Sequence, residues 1–294
     1  MEVNEMRILG RLLARYDWGY QWEADPRHAE LLCERSGLVE GSKGVTTPGA
    51  KQEEDDRKLQ CEFARDVRSI TMRAAYLALD RPEMMFAVKE AARTAADPTE
   101  GTKQQLRRIA RYLKHRPRLV QQFRWQQMPA TLSVECDSDY AGCKRTRKST
   151  SGYVAMLGRH CVAARSKTQS VIATSSGEAE FYALCSATSS ALGLQALLAD
   201  MGITVKIVIG MDATAGKAMA SRRGLGRAKH IHVQYLWVQS VVASGAVELK
   251  KIPGESHRSD LMTKHLAAPR MEKLLVAMDF EFAAGRSKLA LRAA

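Results

Sequence analysis

Residues Ser133 to Ser151, SVECDSDYAGCKRTRKSTS, decide the reading of this chain. An alternating segment, Leu132 to Cys136, runs into Asp137, Asp139 and Gly142, which predicts a strand ending on carboxylates. Lys144, Arg145, Arg147 and Lys148 follow at once as a cationic rim. Carboxylate oxygens suit a hard ion such as Mg²⁺, and a cationic rim suits phosphates. One pair of aspartates does not make a catalytic centre; later segments must return further carboxylates to the same place.

Downstream, Gly152 to Leu157 and Cys161 to Arg165 read as two more short strands. Glu178 to Met201 predicts a long helix with Phe181, Leu184, Ala187, Ala191, Leu194, Leu197 and Leu198 on its packing face. Val205 to Ile209 is a β-branched strand leading to Asp212, followed by a short helix through Met219. A helix over Ile231 to Ala243, a strand over Val247 to Ile252 and a terminal helical region from Leu261 complete the pattern. Three strands followed by helix, strand, helix and strand imply an α/β fold, a mixed sheet flanked by helices.

In that frame Glu180 lies on the first turn of the long helix and can project toward Asp137, whereas Glu178 is displaced around the helix and supports its start. Asp212 sits where open sheets present functional side chains, and Asp260 opens the segment SDLMTKHL. Convergence of Asp137, Glu180, Asp212 and Asp260 is therefore expected. His257, three residues before Asp260, could assist product release or protonation near a scissile phosphate but reads first as a surface or loop histidine, and His230 and His232 lack the neighbours for a zinc site. A second basic group, Arg222, Arg223, Arg227 and Lys229, surrounds Gly224 and Gly226, and both groups are suited to phosphates.

Upstream of Leu132 the pattern is mainly helical. Tyr16, Trp18, Tyr20 and Trp22 recur at every second position and predict one strand; Pro26 to Ser36 predicts a helix ending near Gly37. Lys51 to Lys58, KQEEDDRK, reads as a charged, solvated connector. Helices follow over Phe63 to Leu79, Pro82 to Ala95 and Thr99 to Lys114, then a short apolar segment from Leu119 to Trp125. In the third helix Leu106, Ile109, Ala110 and Leu113 share one face, while Lys103, Arg107, Arg111 and Lys114 form a basic one. That basic face suits either a nucleic-acid backbone or plain solvation.

The 294 residues, 45% apolar and 26% charged, are enough for one large or two smaller cored domains. A formal charge of +13 points to an anionic partner. Six cysteines without a CxxC pair suggest a reducing, intracellular setting, cytoplasmic or nuclear. No apolar run reads as a signal peptide or a membrane span, so no membrane partner is expected.

Several stretches together resemble the copia-type retrotransposon Pol polyproteins. Over residues 132–267 these are Asp137-Ser138-Asp139-Tyr140-Ala141-Gly142, Arg147-Lys148-Ser149-Thr150-Ser151-Gly152-Tyr153, Ser175-Ser176-Gly177-Glu178-Ala179-Glu180-Phe181, Lys229-His230-Ile231 and Asp260-Leu261-Met262-Thr263-Lys264. The resemblance implies a ribonuclease H-like domain whose four acids, at Asp137, Glu180, Asp212 and Asp260, hold two Mg²⁺ ions, with Mn²⁺ as a substitute. By that resemblance Asp137 bridges the ions, Glu180 and Asp212 hold the one at the leaving group, and Asp260 holds the one that orients water. The implied substrate is the RNA of an RNA/DNA hybrid, cleaved endonucleolytically.

Upstream, Trp22-Glu23-Ala24-Asp25-Pro26-Arg27-His28-Ala29, Thr46-Thr47-Pro48-Gly49, Tyr76-Leu77-Ala78-Leu79-Asp80-Arg81-Pro82 and Arg111-Tyr112-Leu113 look like the region that follows the reverse-transcriptase palm. The implied organisation is a palm-to-thumb remnant over 1–60, a thumb or connection region over 61–128, the ribonuclease H-like domain over 132–267 and a tail over 268–294. No Tyr-x-Asp-Asp motif is present, so polymerisation by this chain alone is not expected. MDATAGKAM around Asp212 and Phe181 after Glu180 depart from the family pattern without removing an expected ligand. The alternative expectation is an inactive nucleic-acid-binding remnant, and other parts of a polyprotein are possible partners.

Overall fold

The computed structural model describes residues 5–51, 55–212, 214–226, 229–288 and 290, and divides the chain into two units. Residues 52–54 of the charged connector, and Arg227, lie outside the described residues. The first unit takes in residues 1–125 and 265–294, and the second residues 126–264.

In the first unit β1 (Glu5–Ile8), β2 (Arg11–Tyr16), β3 (Gly19–Ala24) and β4 (Arg118–Arg124) form successive antiparallel neighbours. The predicted single aromatic strand is thus a hairpin, turning at Asp17 and Trp18. Alternation continued through the reversal because Tyr16 and Trp18 stack, ring centroids 5.1 Å apart. Gly19, at φ +148°, lets the chain pass over Phe123, whose carbonyl a side chain there would strike.

Helices α1 (Pro26–Arg35), α2 (Cys61–Ala78), α3 (Met85–Ala92) and α4 (Glu100–His115) follow the predicted pattern. The Asp25 carboxylate caps α1 by accepting from the Arg27 amide, with Pro26 opening the first turn. Thr99 and Thr102 cap α4 reciprocally, and Leu106, Ile109, Ala110 and Leu113 are all buried.

The second unit begins with β5 (Thr131–Asp139), β6 (Thr150–Leu157) and β7 (His160–Thr168), an antiparallel meander. Helix α5 (Ser176–Asp200) leads to β8 (Lys206–Met211), which lies parallel to β5; α6 (Thr214–Ser221) and α7 (Trp237–Ala243) precede β9 (Val247–Lys251), parallel to β8. The order β7-β6-β5-β8-β9 is the mixed, helix-flanked sheet expected of a ribonuclease H-like fold. Ile231 precedes a single 3₁₀ turn, so α7 is shorter than predicted.

Leu132, Val134 and Cys136 of β5 pack with Ala179, Phe181, Leu184 and Ala187 of α5. Leu197, expected on the same face, is 55% exposed near the far end of the helix. Contrary to the sequence reading, α5 is long and apolar enough to cross a membrane by length and composition, with a hydropathy of 1.3, yet here it covers the sheet.

After the second unit the chain adds α8 (Ala268–Val276) and β10 (Phe280–Ala283) to the first. β10 pairs with β4, so residues 268–294 are not simply a tail. Residues 1–60 and 61–125, expected to fall in separate regions over 1–60 and 61–128, share this unit, while the second unit opens at Gln126 and closes at Lys264 rather than at 267.

Candidate metal centre

Side chains alternate across a strand, so Leu132, Val134, Cys136 and Ser138 of β5 face α5 while Glu135 and Asp137 face the other way. The α5 face receives Glu180: its Oε1 accepts from the Ser138 hydroxyl at 2.9 Å, and its buried Oε2 has no hydrogen-bond partner. Asp212 follows β8 immediately, and because Glu135 pairs with Gly210 the ends of β5 and β8 carry Asp137 and Asp212 side by side.

The opposite face of β5 is covered by a 3₁₀ segment, Arg258–Met262. Glu135, 2% exposed, accepts from the Arg258 amide at 2.6 Å and from its guanidinium at 2.9 Å, which ties this segment to β5. Asp137 accepts from the Thr263 hydroxyl and lies 3.2 Å from the Lys264 ammonium, which also holds Asp260. Gly152, paired with Asp137 across the sheet, permits this approach, since a Cβ there would meet that of Met262 at 2.5 Å.

His257 is fully buried, not on the surface as its loop position suggested. Its Nε2 meets the Ser259 hydroxyl at 3.0 Å, while Nδ1 lacks a hydrogen-bond partner and faces Asp212 Oδ2 at 3.9 Å. One ligand atom each from Asp137, Asp212 and His257 falls within 4.8 Å of the others. The structure therefore brings Asp137, Glu180 and Asp212 to one strand end, and Asp260 adjoins them through Lys264.

Crowding of these acids shows in their proton affinity. Burial, followed by the charges of Asp137 and Asp212, pushes Glu180 up to about 8 against the Ser138 hydrogen bond. Asp137 is also raised, burial outweighing Lys264 and Thr263. A buried carboxylate oxygen without a donor, an unpartnered imidazole nitrogen and converging negative charge form a donor set that fits a divalent cation.

Glu178 has the structural part assigned to it. Burial would raise its carboxyl, but hydrogen bonds from His230, Thr174 and Tyr182 hold it at about 2. Asp139 is half-buried and accepts from the Thr150 amide at 2.5 Å. Lys144, Arg145 and Arg147 are exposed on the β5–β6 loop, and Lys148 is half-buried. Arg223 and Lys229 are exposed, whereas Arg222 folds back to donate to the Leu225 carbonyl at 2.6 Å, leaving it less available than expected.

Similarity to known proteins extends over most of the chain. It is 31% identical over 241 residues to the retrovirus-related Pol polyprotein from transposon RE1 of Arabidopsis thaliana, a match covering 80% of this chain and 16% of that protein. A second match, to the Pol polyprotein from transposon TNT 1-94 of Nicotiana tabacum, is 24% identical and covers 92% of this chain and 21% of the relative. Over most of its length the chain resembles the copia-type Pol polyproteins.

The chain thus spans about a fifth or less of the length of these copia-type relatives. No family model matches it. Among solved structures, the LC11 RNase H1 in complex with RNA/DNA hybrid is 16% identical at a TM-score of 0.34, covering 45% of this chain and 94% of that one.

Proposed function

We propose that the second unit is a divalent-metal-dependent endonuclease that hydrolyses the RNA strand of an RNA/DNA hybrid. The observation that carries this reading is the convergence of Asp137, Asp212 and His257 ligand atoms beside the donorless oxygen of Glu180. Asp137, Glu180, Asp212 and Asp260 would hold the two ions. Mg²⁺, or Mn²⁺ in its place, supplies an activated water and charge stabilisation at the phosphate.

The chain's own residues do the rest. Burial of Glu135 against Arg258 fixes the segment that carries Asp260, and the fully buried His257 turns Nδ1 toward the Asp212 carboxylate. Lys144, Arg145, Arg147 and Lys148, with Arg222, Arg223, Arg227 and Lys229, would contact phosphates and give little sequence preference. Hybrid would be distinguished by groove shape and 2′-hydroxyls, and the products would carry a 3′-hydroxyl and a 5′-phosphate.

Cleavage of hybrid, duplex DNA and duplex RNA compared in Mg²⁺, Mn²⁺ and chelator tests the reading. Metal-dependent scission of hybrid that Asp137→Asn abolishes supports it; intact hybrid with folded protein and either metal overturns it. The second reading is a non-catalytic nucleic-acid-binding remnant, favoured by the Lys264 ammonium already held by Asp137 and Asp260. It predicts salt-sensitive hybrid binding without scission.

A further inference from the structure

Helix α4 and the segment that follows α1 line an open pocket of about 440 Å³ in the first unit. Lys43, Arg107, Arg108 and Arg111 line it, with Ser42, Gln104 and Leu38, and no acidic side chain does. Elsewhere in this unit Arg11, Arg27, Arg57, Arg81, Arg116 and Arg118 each hold a carboxylate. Among the described residues the four pocket cations have no carboxylate partner.

The walls are fixed by bonds that leave the cationic heads available. Arg111 Nε donates to the Lys43 carbonyl at 2.7 Å, and the Arg111 carbonyl accepts from the Val45 amide, fastening the 43–45 strip to α4. One terminal nitrogen of Arg108 donates to the Thr47 hydroxyl at 2.8 Å, while its buried Nε has no partner. Burial, then the charge of Arg111, lowers the Arg108 proton affinity, as expected where like charges crowd without an anion. Of the basic face read from the sequence, Lys103 lies by Glu100 and Lys114 donates to the Val39 carbonyl, so only Arg107 and Arg111 reach the pocket.

Three guanidiniums and an ammonium on a concave surface match phosphate oxygens, which take paired donors from a planar fork. A cleft of one sign also focuses its field on an arriving anion. We infer that this pocket is a phosphate-binding site of the first unit that takes backbone phosphates of a nucleic-acid strand. The inference does not depend on strand scission by the second unit.

The test measures anisotropy of a labelled RNA/DNA hybrid with the full chain, in chelator, across a salt series. Arg107→Gln with Arg111→Gln should weaken binding about tenfold or more and lower the salt slope by about two, one for each cation removed. The charge-matched pair Arg15→Gln with Arg65→Gln, both exposed and outside the pocket, should change the slope little. Equal losses in the two pairs overturn the inference. Should the glutamine pair not fold, Arg107→Lys with Arg111→Lys keeps the charge and should retain the slope with weaker affinity; an unchanged affinity overturns it. Inorganic phosphate that perturbs the Arg107 and Arg111 resonances while hybrid binding ignores both substitutions also overturns it, and assigns the pocket to a free anion. Loss of cleavage in Asp137→Asn with the pocket effect intact separates this site from the nuclease reading.

Discussion

Lys264 sets its ammonium 3.2 Å from Oδ2 of Asp137 while the same nitrogen holds Oδ1 of Asp260. Burial opposes the charge, yet the two carboxylates keep its proton affinity above the ordinary value. This lysine is the local counter-charge of two expected metal ligands. In chelator, Lys264→Met should destabilise the second unit by about 1 kcal/mol, a figure discounted because the side chain is 43% exposed. Saturating Mn²⁺ should restore the loss. Urea unfolding with and without metal measures both, and an unchanged midpoint in chelator sinks the idea.

Glu135 and Arg258 form the tie between β5 and the segment carrying Asp260. Glu135→Gln leaves Arg258 without its charge partner and should lower stability by about 2 kcal/mol. Mn²⁺ affinity should fall about tenfold because Asp260 and His257 lose their fixed positions. Titration calorimetry on the folded variant decides; full metal affinity would show that the tie is dispensable for the centre.

Gly152 lies beneath the same segment, and a methyl group there has no room beside Met262 and Thr263. Gly152→Ala should cost about 1–3 kcal/mol through displacement of residues 258–263. Metal affinity should fall with it. A variant as stable as the parent in denaturant would mean that the segment moves away freely.

His265 belongs to the first unit, where its ring packs 4.8 Å from that of Phe86. Burial, helped by the charges of Lys89, Arg108 and Lys51 and opposed by Glu90, lowers its proton affinity to about 4. The folded value lies below the unfolded one, so the unfolded state binds more protons between about 6.5 and 4. The contribution is present above pH 6.5 and is lost as pH falls through that window, by about 2 kcal/mol after allowance for solvent. His265→Gln should remove this slope from a pH series of unfolding midpoints; an identical slope in both proteins refutes the assignment.

What could be read from the sequence was what leaves a local trace. The alternation of β5, the long apolar face of α5 and the β-branched run of β8 each declare themselves within one element, and they carry Asp137, Glu180 and Asp212. Glu135 was missed because its meaning depends on Arg258, 123 positions away. The burial of His257 was missed for the same reason, since burial of a loop histidine depends on what packs over it. The hairpin of β2 and β3 was hidden because stacked Tyr16 and Trp18 continue the aromatic rhythm through the turn. β10 is four residues long and borrows its pairing from β4, so nothing nearby in the chain announces it.

That last pairing has a consequence for biosynthesis. All 139 residues of the second unit, 126–264, emerge from the ribosome before the strand that seals the first unit's sheet. The later-encoded body can therefore mature while the earlier one waits with the β4 edge open, and translation order and completion order run opposite ways.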